Sequence, residues 1–153
     1  DGFIQLQDMP DVEDLAGSQA VIDQWQTFFK VRVGINKALE EAKNAPQDPI
    51  KKSFEASVIL YLDADDRAAL APFADKLGQY LTVSQLKVED LDQAPAEALD
   101  FETYQVQVHH AEGAICQRCR AVRPEVGRLD QAPDLCQRCY EIVNEEYPEY
   151  FQS

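Results

Sequence analysis

The sequence lacks several features on which common classes of protein depend. Its six glycines are scattered, so it contains neither a G-x-G-x-x-G turn nor a phosphate-binding P-loop. No run approaches the roughly 18 consecutive apolar residues that a membrane-spanning helix needs. The N-terminus also lacks the basic and then apolar pattern of a signal peptide. These absences argue against a nucleotide-binding core, a membrane protein and an exported protein.

Cysteine is scarce, and the few cysteines are close together in the chain. Cys116 and Cys119 form one Cys-x-x-Cys pair, and Cys136 and Cys139 form a second, with sixteen residues between the pairs. At this spacing two tight turns can place four thiolates at about 2.3 Å around one tetrahedral Zn²⁺ ion. Four protein ligands leave no open position for water or substrate, so we expect one structural zinc ion and no metal-based catalysis.

Two alternatives to zinc stay open on the spacing alone. Disulfides are one, although four cysteines confined to 24 residues of a 153-residue acidic chain make a poor disulfide framework. A redox or iron site, as in a rubredoxin-like electron carrier, is the other. Paired free thiols without an export signal are typical of the reducing cytoplasm, so we predict a cytoplasmic protein. The first residue is Asp1 and not methionine, which favours a portion of something longer.

Other groups that could bind metal or catalyse a reaction have simpler interpretations. His109 and His110 precede the first cysteine pair and are alternative ligands of the metal ion. The four cysteines, however, already fill its four coordination positions. Asp63, Asp65 and Asp66 could form an acidic metal cluster, yet the start of a helix explains them better, because acidic side chains favour its positive end. We therefore predict no catalytic residues in this chain.

Arginine is distributed unevenly along an acidic chain whose formal net charge is −14. Five of the seven arginines lie between residues 113 and 140, and the same stretch contains only three acidic residues. Guanidinium groups suit bidentate phosphate contacts and stacking on bases. We predict an RNA-contacting surface that includes four of them: Arg118, Arg120, Arg123 and Arg138. The alternative is that they offset the thiolate charge and keep a small module soluble.

The hydrophobic pattern predicts an α+β fold that begins with a long helix. Ser18 is the expected N-cap, and the helix should end at Asn44-Ala45-Pro46, because proline disfavours helical geometry in the residue before it. The apolar stripe expected to face the core recurs at spacings of three and four, with Arg32 as its polar member, and consists of Val21, Trp25, Phe28, Arg32, Ile35, Leu39 and Ala42.

A small α/β unit follows, built as strand, helix and strand with a third strand after it. We predict the strands at 54–62, at 81–88 with a bulge near Ser84, and at 103–109. The connecting helix should span 65–79, with residues 90–100 as a connector and a last helix over 140–147. The predicted domains are therefore 1–45, the end of a helical domain, 46–110, the α/β unit, and 111–153, the four-cysteine zinc module.

Four segments follow one another along the chain in a recognisable order: Trp25–Ala42, Ile50–Ala56, Val83–Leu86 and the two Cys-Gln-Arg-Cys pairs. Together they resemble the C-terminal region of bacterial isoleucyl-tRNA synthetase. That family has a helix reading roughly W-x-x-L/F-x-x-V-R-x-x-V/I-N-K-A-L-E-x-A, then I-G-x-S-L-E-A, then V-S-x-V, and it closes with K-C-x-R-C-W…L-C-x-R-C. The opening Leu6–Pro10 is also similar to the family's L-x-D-F/M-P.

The resemblance implies a zinc-binding, tRNA-contacting part of a ligase that joins isoleucine to its tRNA with ATP. The family's catalytic motifs H-I-G-H and K-M-S-K-S are absent here, so the expected role is contact with the anticodon end of tRNA(Ile) and with the rest of the synthetase, not with DNA or a membrane. The sequence departs from the family at Lys51, where glycine is usual. Two further departures bear on RNA contact, since Ile115 replaces a lysine and Arg120 replaces a tryptophan. The alternative is a zinc-stabilised module that anchors the synthetase tail without touching RNA.

Overall fold

The computed structural model describes residues 16–151, apart from the side chain of Gln24. The predicted α+β class is confirmed, since a long helix packs on a small sheet and a four-cysteine module follows it. The Leu6–Pro10 motif lies outside the described residues. None of the helices in 16–151 is both long and apolar enough to cross a membrane. The three-domain division stays a prediction.

Helix α1 spans Ser18–Lys43, and its end agrees with the prediction from Pro46. Its start corrects the assignment of Ser18 as N-cap. Gly17 is the N-cap and has a left-handed backbone (φ 85°), while Ser18 is already helical. Glycine adopts that conformation without the steric cost that a Cβ brings. At the other end the side-chain amide of Asn44 donates to the carbonyl oxygen of Glu40 at 2.8 Å, which satisfies one of the last helical acceptors.

The face of α1 that packs on the sheet is turned slightly from the predicted stripe. The buried apolar side chains are Phe28, Val31, Ile35 and Ala38, and Gly34 is buried between them. Val21 and Arg32, both placed on the stripe, are exposed. The first turn of α1 lies beyond the core, so Val21 has nothing in residues 16–151 to cover it. Arg32 stands next to Val31, and the β-branched apolar side chain takes the buried position.

The sheet has four strands in the order β2-β1-β4-β3. Strand β1 (Ala56–Leu62) pairs in parallel with β2 (Gln85–Asp90) and antiparallel with β4 (Tyr104–His110), and β3 is the two-residue strand Leu99–Asp100. Strand β1 has a nearly continuous apolar sequence, and one of its faces, with Val58, Leu60 and Leu62, is fully buried in the core. Its other face is only partly buried, because Ser57 and Ile59 are half-exposed. Strand β3 lies within the stretch that we expected to be only a connector.

The crossover from β1 to β2 is more broken than the single helix predicted for 65–79. It consists of α2 (Ala64–Leu70), a 3₁₀ segment over Ala71–Lys76 and α3 (Leu77–Tyr80). Pro72 near the start of the 3₁₀ segment cannot donate a helical hydrogen bond, which accounts for the break. Asp63 caps α2 by accepting from the Asp66 amide at 2.8 Å, so the helix-start interpretation of these acids is confirmed.

The predicted strand over 81–88 begins four residues late. Thr82 has a left-handed backbone (φ 57°), so residues 81–83 form a turn and β2 starts at Gln85. The expected bulge near Ser84 was therefore wrong, because the change of phase marks the end of this turn. The C-terminal module contains β5 (Ala114–Ile115), β6 (Val122–Arg123), α4 (Gln137–Glu146) and a 3₁₀ segment over Pro148–Phe151.

Candidate metal centre and arginine cluster

The four cysteines converge on one point in the C-terminal module. All four Sγ atoms lie within 4.8 Å of one another, and those of Cys119 and Cys136 are 3.9 Å apart. Cys116 and Cys139 are fully buried, and Cys119 is half-buried. The structure thus brings together the whole set of sulfur atoms that the sequence spacing selected.

Two different local structures position the two pairs. Cys116 follows β5, and the chain turns back so that the Arg120 amide donates to the Cys116 carbonyl at 2.9 Å. Arg120 itself has a left-handed backbone (φ 67°), which directs the chain into β6. Cys136 is the N-cap of α4, and Cys139 lies in its first turn. Each pair is therefore held by a turn whose hydrogen bonds are made by backbone groups.

The separation of the sulfur atoms fits a tetrahedral zinc ion and not a disulfide. Four Zn–S bonds of about 2.3 Å at tetrahedral angles place neighbouring sulfurs about 3.8 Å apart. The 3.9 Å between Cys119 and Cys136 is close to that value, and the 4.8 Å limit leaves only small adjustments for the others. A disulfide needs about 2.05 Å, and all four cysteines are free. The donor set is therefore compatible with a metal ion.

The local electrostatics divide the thiols into two kinds. Burial alone would raise the pKa of Cys116, but backbone amides of Cys119, Cys136 and Arg118 stabilise its thiolate and lower the pKa to about 6. The Cys136 amide lies 3.3 Å from the Cys116 sulfur. Burial raises the pKa of Cys136 to about 12, with a further contribution from the neighbouring thiols, and burial also raises that of Cys119. The fold thus stabilises the thiolate of Cys116, whereas Cys119 and Cys136 need a nearby cation to become ionised as well.

Three of the arginines predicted to contact RNA lie between or directly after the cysteines in the chain, and the fourth, Arg123, lies on β6. Arg118, Arg120 and Arg138 are exposed, whereas Arg123 is half-buried on β6. The Arg120 guanidinium donates to the Gln117 side-chain oxygen at 2.9 Å, and Arg118 Nη1 lies 3.7 Å from Cys139 Sγ. Within residues 16–151, none of these four arginines joins an ion pair with a carboxylate.

The two histidines considered as alternative ligands lie outside the sulfur cluster. His109 and His110 are the last residues of β4, and both are exposed. The His110 ring nitrogen is 3.1 Å from the Asp48 carboxylate, so its nearest acidic partner lies in the loop after α1. The group of metal-ligating side chains found in 16–151 contains only the four cysteines.

Sequence reasoning missed the residues that join the module to the sheet. Ser84, only 2% exposed, contacts both β6 and the segment before β1. Gln85 contacts the chain at Glu112. The signal that could have identified them is a pair of polar residues directly after Leu81-Thr82-Val83, in the stretch interpreted as a bulge.

No family model matches the chain. The chain is 41% identical over 150 residues to the isoleucine–tRNA ligase of Lactobacillus helveticus, a match that covers 98% of this chain and 16% of the relative. The ligase of Latilactobacillus sakei is 43% identical over 148 residues (96% and 16%), and that of Geobacillus thermodenitrificans 44% over 146 residues (94% and 16%).

These matches confirm the resemblance that the ordered motifs indicated. They extend over nearly all of this chain, from the helical part to the cysteine module, and are consistent with the C-terminal region of such a ligase. The chain nevertheless spans only about one sixth of the length of the curated relatives that it matches.

Proposed function

Because the chain is homologous over nearly its whole length to a segment of isoleucine–tRNA ligases, we propose that it is a zinc-bearing, tRNA-contacting part of such a ligase. In this proposal it helps to hold tRNA(Ile) at the anticodon end in the cytoplasm. The joining of isoleucine to tRNA with ATP then belongs to other parts of the ligase, since the two catalytic motifs of the family do not occur in this chain.

The observation that carries the RNA-contact proposal is the state of the arginine side chains. Three of the four are exposed, and none of the four is neutralised by a carboxylate of residues 16–151. This is notable in a chain with 28 acidic residues. Unpaired guanidinium planes can stack on unstacked bases and donate to phosphates, which is how single-stranded RNA loops are commonly bound. Arg120 can supply such a plane where the family has tryptophan.

The zinc ion in this proposal is held by Cys116, Cys119, Cys136 and Cys139. Bound zinc supplies a closed tetrahedral centre that fixes the two turns relative to each other. The module has little else to fix it, since the apolar groups packed against the buried cysteines are few. The turn at the first cysteine pair carries Arg118 and Arg120, and the turn at the second pair carries Arg138. An ion that joins the two turns therefore determines how far apart these guanidinium groups are.

A second candidate function is favoured by one contact. Arg118 lies 3.7 Å from the sulfur of Cys139, close enough to offset thiolate charge at the metal centre. An arginine in that role stabilises the module and need not touch RNA. In this alternative the zinc module anchors the tail of the ligase against the rest of it, and the surrounding arginines contact protein.

The test uses two arginines whose guanidinium groups make no hydrogen bond to the sulfurs within residues 16–151. Arg120→Ala and Arg138→Ala each remove one exposed guanidinium from the module. Arg32→Ala is the matched control, because it removes the same charge from an exposed position on α1. Affinity for an isoleucine tRNA transcript is measured as a function of salt, together with the melting temperature of each variant.

The two candidates predict different results. RNA contact predicts weaker tRNA binding, an unchanged melting temperature, and a salt dependence whose slope falls by about 0.7 for each lost phosphate contact. Anchoring predicts unchanged tRNA affinity. If Arg32→Ala weakens binding as much as Arg138→Ala does, binding depends on net charge alone and the proposed site is wrong. Metal analysis is done first, because fewer than one zinc per chain would contradict the zinc centre.

A further inference from the structure

Ser84 bridges the cysteine module and the sheet. It lies between the turn that ends at Val83 and the first residue of β2, and it is 2% exposed. Its hydroxyl donates to the Phe54 carbonyl at 2.5 Å and accepts from the Val122 amide at 2.7 Å. Its own amide donates to the Ala56 carbonyl at 3.2 Å. One small side chain thus satisfies a carbonyl just before β1 and an amide in β6.

The neighbouring contacts limit how the module can move around this bridge. The Gln85 side chain donates to the Glu112 carbonyl at 2.7 Å and accepts from the Glu112 amide at 3.3 Å. The Ala111 amide donates to the Glu55 carbonyl at 2.8 Å. Gly113, where φ is 117°, has the Arg123 backbone directly over the position of a Cβ. Residues 111–113, where the chain enters the module, are therefore held by contacts with Glu55, Gln85 and Arg123.

A short route leads from the bridge to the sulfur cluster. Val122 pairs with Ile115 in the β5–β6 ribbon, and its neighbour Ala121 accepts from the Cys116 amide at 2.9 Å. Cys116 is fully buried among the four sulfurs. Any disorder of the turn around Cys116 therefore disturbs the strand that donates the Val122 amide, and the Ser84 hydroxyl then loses one of its two partners in a buried place.

We propose that Ser84 is a positioning residue that couples the order of the cysteine module to the sheet. Metal binding then determines both the module's own turns and the orientation of Arg118, Arg120 and Arg138 relative to β1 and β2. The proposal rests on the zinc centre proposed above and goes beyond it, since an equally well-formed zinc module could be attached to the sheet through a flexible connection.

The first test uses the unaltered 153-residue chain and measures amide hydrogen exchange before and after chelation of zinc. Coupling predicts that chelation accelerates exchange of the Val122 amide and, with it, of the Ser84 amide by about fivefold or more. The Leu60 amide in the middle of β1 should change much less. If Val122 exchanges faster while Ser84 stays as protected as in the zinc form, the coupling is refuted.

The second test measures zinc affinity by competition with a chromophoric chelator. Because coupling is reciprocal, Ser84→Ala should weaken zinc binding by about fivefold or more, although the serine contacts none of the sulfurs. Ser84→Thr keeps the hydroxyl and should bind zinc more tightly than Ser84→Ala. Ser57→Ala is the control, since Ser57 is a half-buried serine paired opposite Gln85. Equal affinities of Ser84→Ala and Ser57→Ala contradict the proposal.

The outcomes separate this proposal from the zinc centre itself. A chain that binds no zinc contradicts the metal site, and the coupling fails with it. One zinc per chain with an unresponsive Ser84 amide leaves the metal site intact and contradicts only the coupling. If Ser84→Ala does not fold, the exchange measurement on the unaltered chain still decides between the two.

Discussion

The contact between Gly34 and Tyr104 determines how closely α1 approaches the sheet. Gly34 is buried in the middle of α1, and Tyr104 is the first residue of β4. A Cβ at position 34 would collide with the Tyr104 hydroxyl and lie 2.7 and 2.8 Å from two ring carbons. The ring has little freedom to move, since its hydroxyl donates to the Lys30 carbonyl at 2.9 Å and its face stacks on Phe101. We predict that Gly34→Ala destabilises the protein.

The sign of the effect follows from three magnitudes. Alanine in place of glycine within a helix is favourable by about 1 kcal/mol. An extra methyl group in a well-packed core costs about 1–3 kcal/mol, and displacing the tyrosine hydroxyl from its carbonyl partner costs about 1 kcal/mol. The two unfavourable contributions outweigh the helix propensity, so the free energy of unfolding should fall by about 1–3 kcal/mol.

Gly78→Ala is the matched control, because it makes the same change in a helix with free space. A Cβ at Gly78 would have Leu86 Cβ at 3.6 Å and the Val83 carbonyl oxygen at 3.7 Å, which are ordinary contacts. This variant should be neutral or more stable by less than about 1 kcal/mol. Urea denaturation measures both, with the m-value as a check on two-state unfolding. A Gly34→Ala protein as stable as Gly78→Ala would refute the close packing of α1.

Three further predictions concern a cap, a buried phenol and the metal. Asp63→Ala removes the acceptor of the Asp66 amide and should lower stability by about 1 kcal/mol in urea denaturation, and no change would mean that α2 needs no cap. Burial raises the pKa of Tyr104, so its contribution to stability is complete below the ordinary phenol pKa of about 10 and is lost as the pH rises through the raised value. Denaturation between neutral and alkaline pH should show this loss in the unaltered chain and not in Tyr104→Phe. Removal of zinc should abolish the ordered cysteine module, because structural zinc contributes folding free energy directly, and an identical melting curve with chelator would contradict this.

Local sequence patterns gave correct predictions for features that depend on residues close together in the chain. The spacing of the two Cys-x-x-Cys pairs selected four sulfurs that the fold brings within 4.8 Å. The apolar run of β1 indicated a strand of the sheet, and Asp63 was recognised as the start of a helix. The prediction that α1 ends before Pro46 also held, because the geometry before a proline is restricted by steric contact within the chain itself.

Most of the wrong predictions concern features that depend on packing or pairing with a segment far away in the sequence. Which face of α1 is buried depends on the sheet, and Val31 faces it although the spacing favoured Arg32. The break in the crossover is an exception, because Pro72, which accounts for it, was visible in the sequence. The left-handed Thr82 and the late start of β2 depend on pairing with β1.

The sequence by itself determined the fold class, the four cysteines that the fold brings together and the resemblance to isoleucine–tRNA ligases, since these depend on residue types at short, repeated spacings. Only the tertiary structure decided that the arginines around the sulfurs lack carboxylate partners in residues 16–151, and that Ser84 connects two parts of the chain. The physical reason is that ion pairs and buried hydrogen bonds form between residues tens of positions apart, and periodicity along the chain carries no information about such partners.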